Sequence, residues 1–108
     1  MVEKISAVDL KQKLDSGKPL QLVAAIDEFA FKPSHIPGSL FFASPKDAVS
    51  RLDKKMETII YCSGPGCITG PFACQYFMQK GFEKVVLFSG GLEVWTDAGF
   101  PIEKERGF

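Results

Sequence analysis

With 108 residues, 45% hydrophobic and 12% aromatic, the chain has the size and apolar content of one globular domain built on a single core. Lys plus Arg equals Asp plus Glu at 13 each, with the signs interspersed, so no field of one charge points to nucleic acid or an anionic membrane as partner. The start, MVEKISAVDLKQK, carries charges where a signal peptide needs an apolar stretch, and no apolar run reaches membrane-spanning length, which predicts a soluble, cytoplasmic protein.

In chain order, Ser6 precedes Ala7, Val8, Leu10 and Leu14 at near-helical spacing, with Asp9 placed to complete a weak capping box. A short first helix follows, closed by Ser16 and Gly17. LQLVAAI, 20–26, is apolar after Gln21 and predicts a strand buried on both faces. HIPGSLFF, 35–42, predicts a turn at Pro37 and Gly38 and then a short strand. Ser44 and Pro45 supply an N-cap and a first-turn proline for a helix to about Leu52. TIIYC, 58–62, is β-branched, aromatic and uncharged, as a central strand should be. Over 70–80 the residues Phe72, Ala73, Tyr76 and Phe77 predict the apolar face of a helix that Gly81 ends. KVVLF, 84–88, predicts another buried strand, and Ser89, Gly90 and Gly91 lead into a last short helix ended by Gly99. Strands alternating with helices imply parallel strands with crossover connections, hence an α/β sandwich spanning 1–108 as one domain.

Three cysteines are too few, and odd in number, for a disulfide framework. Cys62 falls at the carboxyl end of the central strand, where an open parallel sheet places its ligand crevice. The loop that follows is Ser63, Gly64, Pro65, Gly66, Cys67, Ile68 and Thr69. Inward-pointing N–H groups of Gly64, Gly66, Cys67 and Ile68 would make an anion-holding nest. The adjoining helix N-terminus would favour a thiolate by about 0.3–1 kcal/mol when exposed and up to ~2 when partly buried. The plainer reading of Cys62 is a small buried residue at a strand end, but a glycine-rich loop opening a helix favours reactivity. Cys67 is open between three roles: resolving an oxidised or persulfidated Cys62, acting as the acceptor itself, or packing beneath the loop. Cys74, inside the predicted helix, is a packing residue, and a zinc site fails because Cys62, Cys67, Cys74 and His35 match no structural zinc spacing. Trp95 reads as core.

Four segments together resemble the rhodanese-like (sulfurtransferase) domains: Ile5 and Ser6 with Asp9 and Leu10, HIPGSL at 35–40, YCSGPGC at 61–67, and VVLFSGGLEVWTDAGFPI at 85–102. The resemblance implies a three-layer α/β sandwich with a central, mostly parallel sheet of about five short strands. It implies that Cys62 takes up a sulfane sulfur as a persulfide and passes it to an acceptor thiol, with no metal or organic cofactor. His35 would anchor a turn, and Gly90 and Gly91 would allow a tight strand-to-helix turn beside the loop.

The chain also departs from that family. No cation occurs from Ser63 to Gln79, whereas loops that act on thiosulfate carry an Arg, and backbone amides alone hold an oxyanion less firmly. Phosphatase chemistry needs such an Arg as well and is disfavoured. Ala24 and Ile26 stand where the family has an Asp and an Arg, and the loop is about two residues longer than the commonest version, similar to Cys-Xaa-Gly-Pro-Xaa-Cys loops of a bacterial subgroup. Whether Lys46 or Arg51 reaches over the loop stays open. Two functions follow: a sulfurtransferase or sulfane-sulfur carrier fed by a small-molecule or protein persulfide of low charge, or a noncatalytic or redox-regulatory module with Cys62 and Cys67 as a reversible thiol pair.

Overall fold

In a computed structural model, residues 3–104 are described. The elements run β1 (Glu3–Lys4), α1 (Ala7–Asp15), β2 (Gln21–Ala24), α2 (Glu28–Phe31), α3 (Pro45–Arg51), β3 (Thr58–Tyr61), α4 (Thr69–Gln79), β4 (Val85–Phe88) and α5 (Gly91–Asp97). The sheet has four strands in the order β1-β4-β3-β2, and every pairing is parallel. Ala24, Tyr61 and Phe88 are register partners, so three strands end level at one carboxyl edge. That edge carries Cys62.

Alternation along the strands divides the interior into two layers. Leu22, Ala24, Ile59, Tyr61, Val86 and Phe88 face α1 and α5, packing with Leu10 and Trp95. Val23, Ile60, Val85 and Leu87 face α3 and α4, packing with Ala48, Cys74 and Phe77. Every residue of β2, β3 and β4 is buried, as a sheet covered on both faces requires. The arrangement is the three-layer α/β sandwich expected from the sequence.

The helix starts follow the capping chemistry. Ser6 Oγ accepts from the Asp9 amide at 3.1 Å, and Ser44 Oγ accepts from the Asp47 amide at 3.1 Å, with Pro45 at the start of α3. Gly81, at a φ of 94°, follows the end of α4.

Several details differ from expectation. The strand predicted after Pro37 and Gly38 shrinks to a single bridge from Leu40 to Val23, so the sheet has four strands rather than about five. The chain there turns off at once into α3. The two-residue β1 and the four-residue α2, capped by Asp27 accepting from Ala30 at 2.8 Å, are too short to give a periodic pattern. The apolar face of α4 is also rotated by about a quarter turn from that expected, at about 100° per residue. Gly70, Cys74 and Phe77 are its buried residues, while Phe72 is 66% exposed. Gly70 lets the helix approach the sheet, which sets that rotation.

Candidate functional site

The site begins with an anchored strand end. Tyr61, the last residue of β3, is fully buried; its hydroxyl accepts from the Ile36 amide at 3.2 Å and pairs with Ser39 Oγ at 2.9 Å. Burial pushes the Tyr61 phenol pKa up, and the hydrogen bonds oppose that only in part. The turn over 36–39 and the strand before the loop are thereby locked together.

The next two carbonyls are held by α5. The Leu92 amide donates to Cys62 O and the Glu93 amide to Ser63 O, both at 2.9 Å. Gly91, with a φ of 65°, makes the approach possible: a Cβ there would stand 2.5 Å from Cys62 O and 2.7 Å from the Gly64 nitrogen. Because trans peptides are planar, carbonyls turned toward α5 aim the Ser63 and Gly64 N–H groups away from it. Gly90 has an ordinary φ and packs against Val94.

The loop then folds back on itself. The Cys67 amide donates to Gly64 O at 3.1 Å, closing a tight turn across Pro65 and Gly66. That amide is therefore not available to the anion nest expected from the sequence, and neither Gly64 nor Gly66 has a positive φ. The N–H groups of Ser63, Gly64, Gly66 and Ile68 make no hydrogen bond among the described residues. No side chain caps α4 at Ile68.

The turn brings the two loop thiols together: Cys62 and Cys67 have Cα atoms 6.5 Å apart and are joined by a disulfide. Cys62 is 4% exposed and Cys67 half-buried. Clefts lie on both sides. The larger, about 450 Å³, runs between α2, the start of α3 and α4, with Ala25, Phe42, Ala48, Ala73 and Phe77 among its walls, and meets the loop at Ser63, Cys67 and Thr69. The smaller, about 270 Å³, is lined by Cys62, Gly64, Pro65, Cys67 and Gly70. Cys67 thus faces both clefts and Cys62 only the smaller. Gly66 and Ile68 line neither.

Other expected residues lie apart. His35 is buried beneath the turn: its Nδ1–H donates to Phe31 O at 2.8 Å, and the ring stacks on Phe31 at 4.0 Å. Its backbone exchanges hydrogen bonds with Glu103 at 3.0 and 2.8 Å. It anchors structure and lines neither cleft. Cys74 is free, wholly buried against the sheet, and burial pushes its thiol pKa up to about 12. Trp95 is core, its Nε1 donating to Pro101 O at 2.7 Å. Arg51 pairs with Asp47 at 2.9 Å, and neither it nor Lys46 lines a cleft. The cation that does is Lys4, on β1, which borders the smaller cleft. Sequence reasoning missed it because only the pairing of β1 with β4 carries it to the sheet's carboxyl edge. Glu93 was missed too; a Cβ on Gly64 would meet its Oε2 at 2.6 Å, so a carboxylate stands beside the loop. Among the described residues, no cluster of His, Cys, Asp or Glu is placed to hold a metal ion, and no helix is long and apolar enough to cross a membrane.

A cysteine loop at a strand end, with the turn at Gly90 and Gly91 beside it, is the arrangement that the sequence resemblance implies. A family model described as Rhodanese-like domain matches residues 6–98. The chain belongs to the rhodanese-like domain family. Over 110 aligned residues it is 29% identical to a sulfurtransferase of Allochromatium vinosum, an alignment covering 99% of this chain and all of that one. It is 27% identical to part of an HTH-type transcriptional regulator of Mycobacterium tuberculosis, covering 94% of this chain and 45% of the regulator. Among solved structures, the BH2092 protein of Bacillus halodurans superposes with a TM-score of 0.87 at 29% identity, over 94% of this chain and 77% of that one. In this rhodanese-like domain the stretch from Ser63 to Gln79 carries no cation.

Proposed function

We propose that this rhodanese-like domain is a sulfurtransferase or sulfane-sulfur carrier in which the Cys62 thiolate attacks the outer sulfur of a donor, holds it as a persulfide, and yields it to a thiol acceptor. The observation that supports this most directly is the position of Cys62: at the carboxyl edge of β3, with its own carbonyl fixed by Leu92 and loop amides left without protein acceptors. Such amides stabilise a sulfur anion without a basic side chain in the loop. The chemistry uses thiols alone and calls for no cofactor.

Glu93 beside the loop and the lack of any loop cation disfavour a dianionic donor, so the donor class is a persulfide of low charge, glutathione-type or protein-borne. Thiosulfate is a poor substrate in this reading. The test is a sulfur-transfer assay on reduced protein with glutathione persulfide and thiosulfate side by side. The persulfide should be turned over at least about tenfold faster, the equivalent of ~1.4 kcal/mol. Cys62→Ser should abolish both reactions; wild-type rates in that variant would sink the reading.

A second reading, a redox-regulatory module, is favoured by the closed Cys62–Cys67 pair and by similarity to part of a transcriptional regulator. In it, oxidation closes the pair and reduction opens it, with no sulfur carried. Intact mass of the reduced Cys67→Ser variant after polysulfide treatment distinguishes the two: a gained sulfur on Cys62 belongs to the carrier, and no gain to the switch.

A further inference from the structure

We propose that the second loop thiol converts sulfur uptake into a reduction: Cys67 displaces the sulfur held on Cys62 as hydrosulfide, closing the Cys62–Cys67 disulfide, and a dithiol reductant reopens it from the larger cleft. The proposal rests on Cys62 being the sulfur-accepting thiol and names what becomes of the sulfur.

The argument starts from reach. The turn closed by Cys67 N–H and Gly64 O puts the Cα atoms 6.5 Å apart, inside the range a disulfide spans, so the loop forms the bond without unfolding. The atom Cys67 meets is Cys62 Sγ, which in a persulfide is the inner sulfur. Attack there expels the outer sulfur; attack on the outer sulfur would merely move it from one thiol to the other. Cys74 cannot compete, being wholly buried on α4.

The clefts divide the two half-reactions. Cys62 borders only the smaller cleft, where Lys4 is the one cation lining either cleft among the described residues, and this suits a leaving hydrosulfide anion. The larger cleft reaches Cys67 and not Cys62, and its walls are mostly apolar. A thiolate entering there meets the Cys67 sulfur, and the group it displaces is Cys62 as thiolate, which is the species that starts the next cycle.

The steps balance. The Cys62 thiolate attacks the outer sulfur of R–S–SH, forming Cys62–S–SH and releasing R–S⁻. The Cys67 thiolate attacks Cys62 Sγ; the new disulfide forms, the bond to the outer sulfur breaks, and HS⁻ leaves with the electron pair. One thiolate of the dithiol then attacks Cys67 Sγ, giving a mixed disulfide and the Cys62 thiolate, and its second thiol closes on the first to release Cys67. In sum, the sulfane sulfur is reduced to hydrosulfide and the dithiol is oxidised to its disulfide.

The test uses the full chain, reduced and freed of reductant, then mixed with glutathione persulfide. Released hydrosulfide is measured above the background given by Cys62→Ser, and intact masses are read. Wild type should release one equivalent per chain and end two hydrogens lighter. Cys67→Ser and Cys67→Ala should instead end one sulfur heavier, on Cys62, and release nothing above background. With dithiothreitol added, wild type should continue for many equivalents. Wild type that keeps the sulfur on Cys62 and releases no hydrosulfide overturns this inference and leaves the carrier reading standing. Failure of both Cys67 variants to gain sulfur overturns both, and a disulfide that dithiothreitol leaves closed overturns the reopening step.

Discussion

Gly91 approaches Cys62 so closely that a Cβ on the glycine would stand 2.5 Å from the cysteine's carbonyl oxygen. The contact belongs to a clamp: Gly91 opens α5, and the next two amides of that helix hold Cys62 O and Ser63 O. Gly91→Ala places a methyl group against backbone atoms that cannot swing aside, at a φ of 65° that disfavours any side chain. The expected cost is about 2–4 kcal/mol in urea denaturation, from left-handed backbone strain and overpacking together. Gly66→Ala, with open space around its Cα, should change stability by no more than ~1 kcal/mol. Equal costs for the two would show that the clamp does not constrain the loop.

Lys4 should matter to rate and not to stability. It is exposed on a two-residue edge strand and borders the cleft that reaches Cys62, where it offers long-range attraction to the residual negative charge of a glutathione-type persulfide. Lys4→Met is expected to slow sulfur loading from glutathione persulfide by roughly 2–5-fold at low ionic strength, with the gap closing as salt screens the charge. Its melting temperature should match wild type. A salt-independent difference would place the effect in packing instead.

The three thiols should separate cleanly by reactivity. Burial pushes the Cys74 pKa up to about 12, so at pH 8 almost none of it is thiolate, and no solvent path reaches it. In reduced native protein, iodoacetamide should modify Cys62 and Cys67 and leave Cys74 untouched until denaturant is added, as mass spectrometry after digestion would read. Alkylation of Cys74 in the native fold would mean that α4 opens readily from the sheet.

Which of these features the sequence disclosed depends on how local their causes are. The caps at Ser6 and Ser44 and the buried β3 and β4 rest on neighbouring residues, and they form as expected. The place of Cys62 at the end of β3 was legible because a strand followed by a glycine-rich loop is a local pattern. The α4 face was misjudged because Phe72 is apolar in the sequence, whereas the close approach permitted by Gly70, where a Cβ would meet Leu87 Cδ1 at 3.1 Å, decides which side faces the sheet. Lys4, Glu93 and the division of Cys62 and Cys67 between two clefts depend on pairings across the whole chain. No window of sequence contains them.

Tyr61 connects the turn over 36–39 to the thiol, and its hydroxyl gives the clearest pH test. Tyr61→Phe removes the oxygen that accepts from Ile36 N–H and pairs with Ser39, leaving a buried amide unpaired at a cost of about 1–3 kcal/mol. The pH dependence follows from burial, which raises the folded-state pKa above its ordinary value of 10.0. Below that value the phenol is neutral in both states and its contribution is complete; as pH rises through it the unfolded chain ionises first, and stability falls until the raised folded pKa is passed. Wild type should therefore lose stability above pH ~10 more steeply than Tyr61→Phe, which has no phenol to ionise at this position. Urea midpoints at neutral and alkaline pH measure it. Parallel curves for the two proteins would mean that the hydroxyl is open to water, and the strand end before Cys62 would lose its proposed anchor.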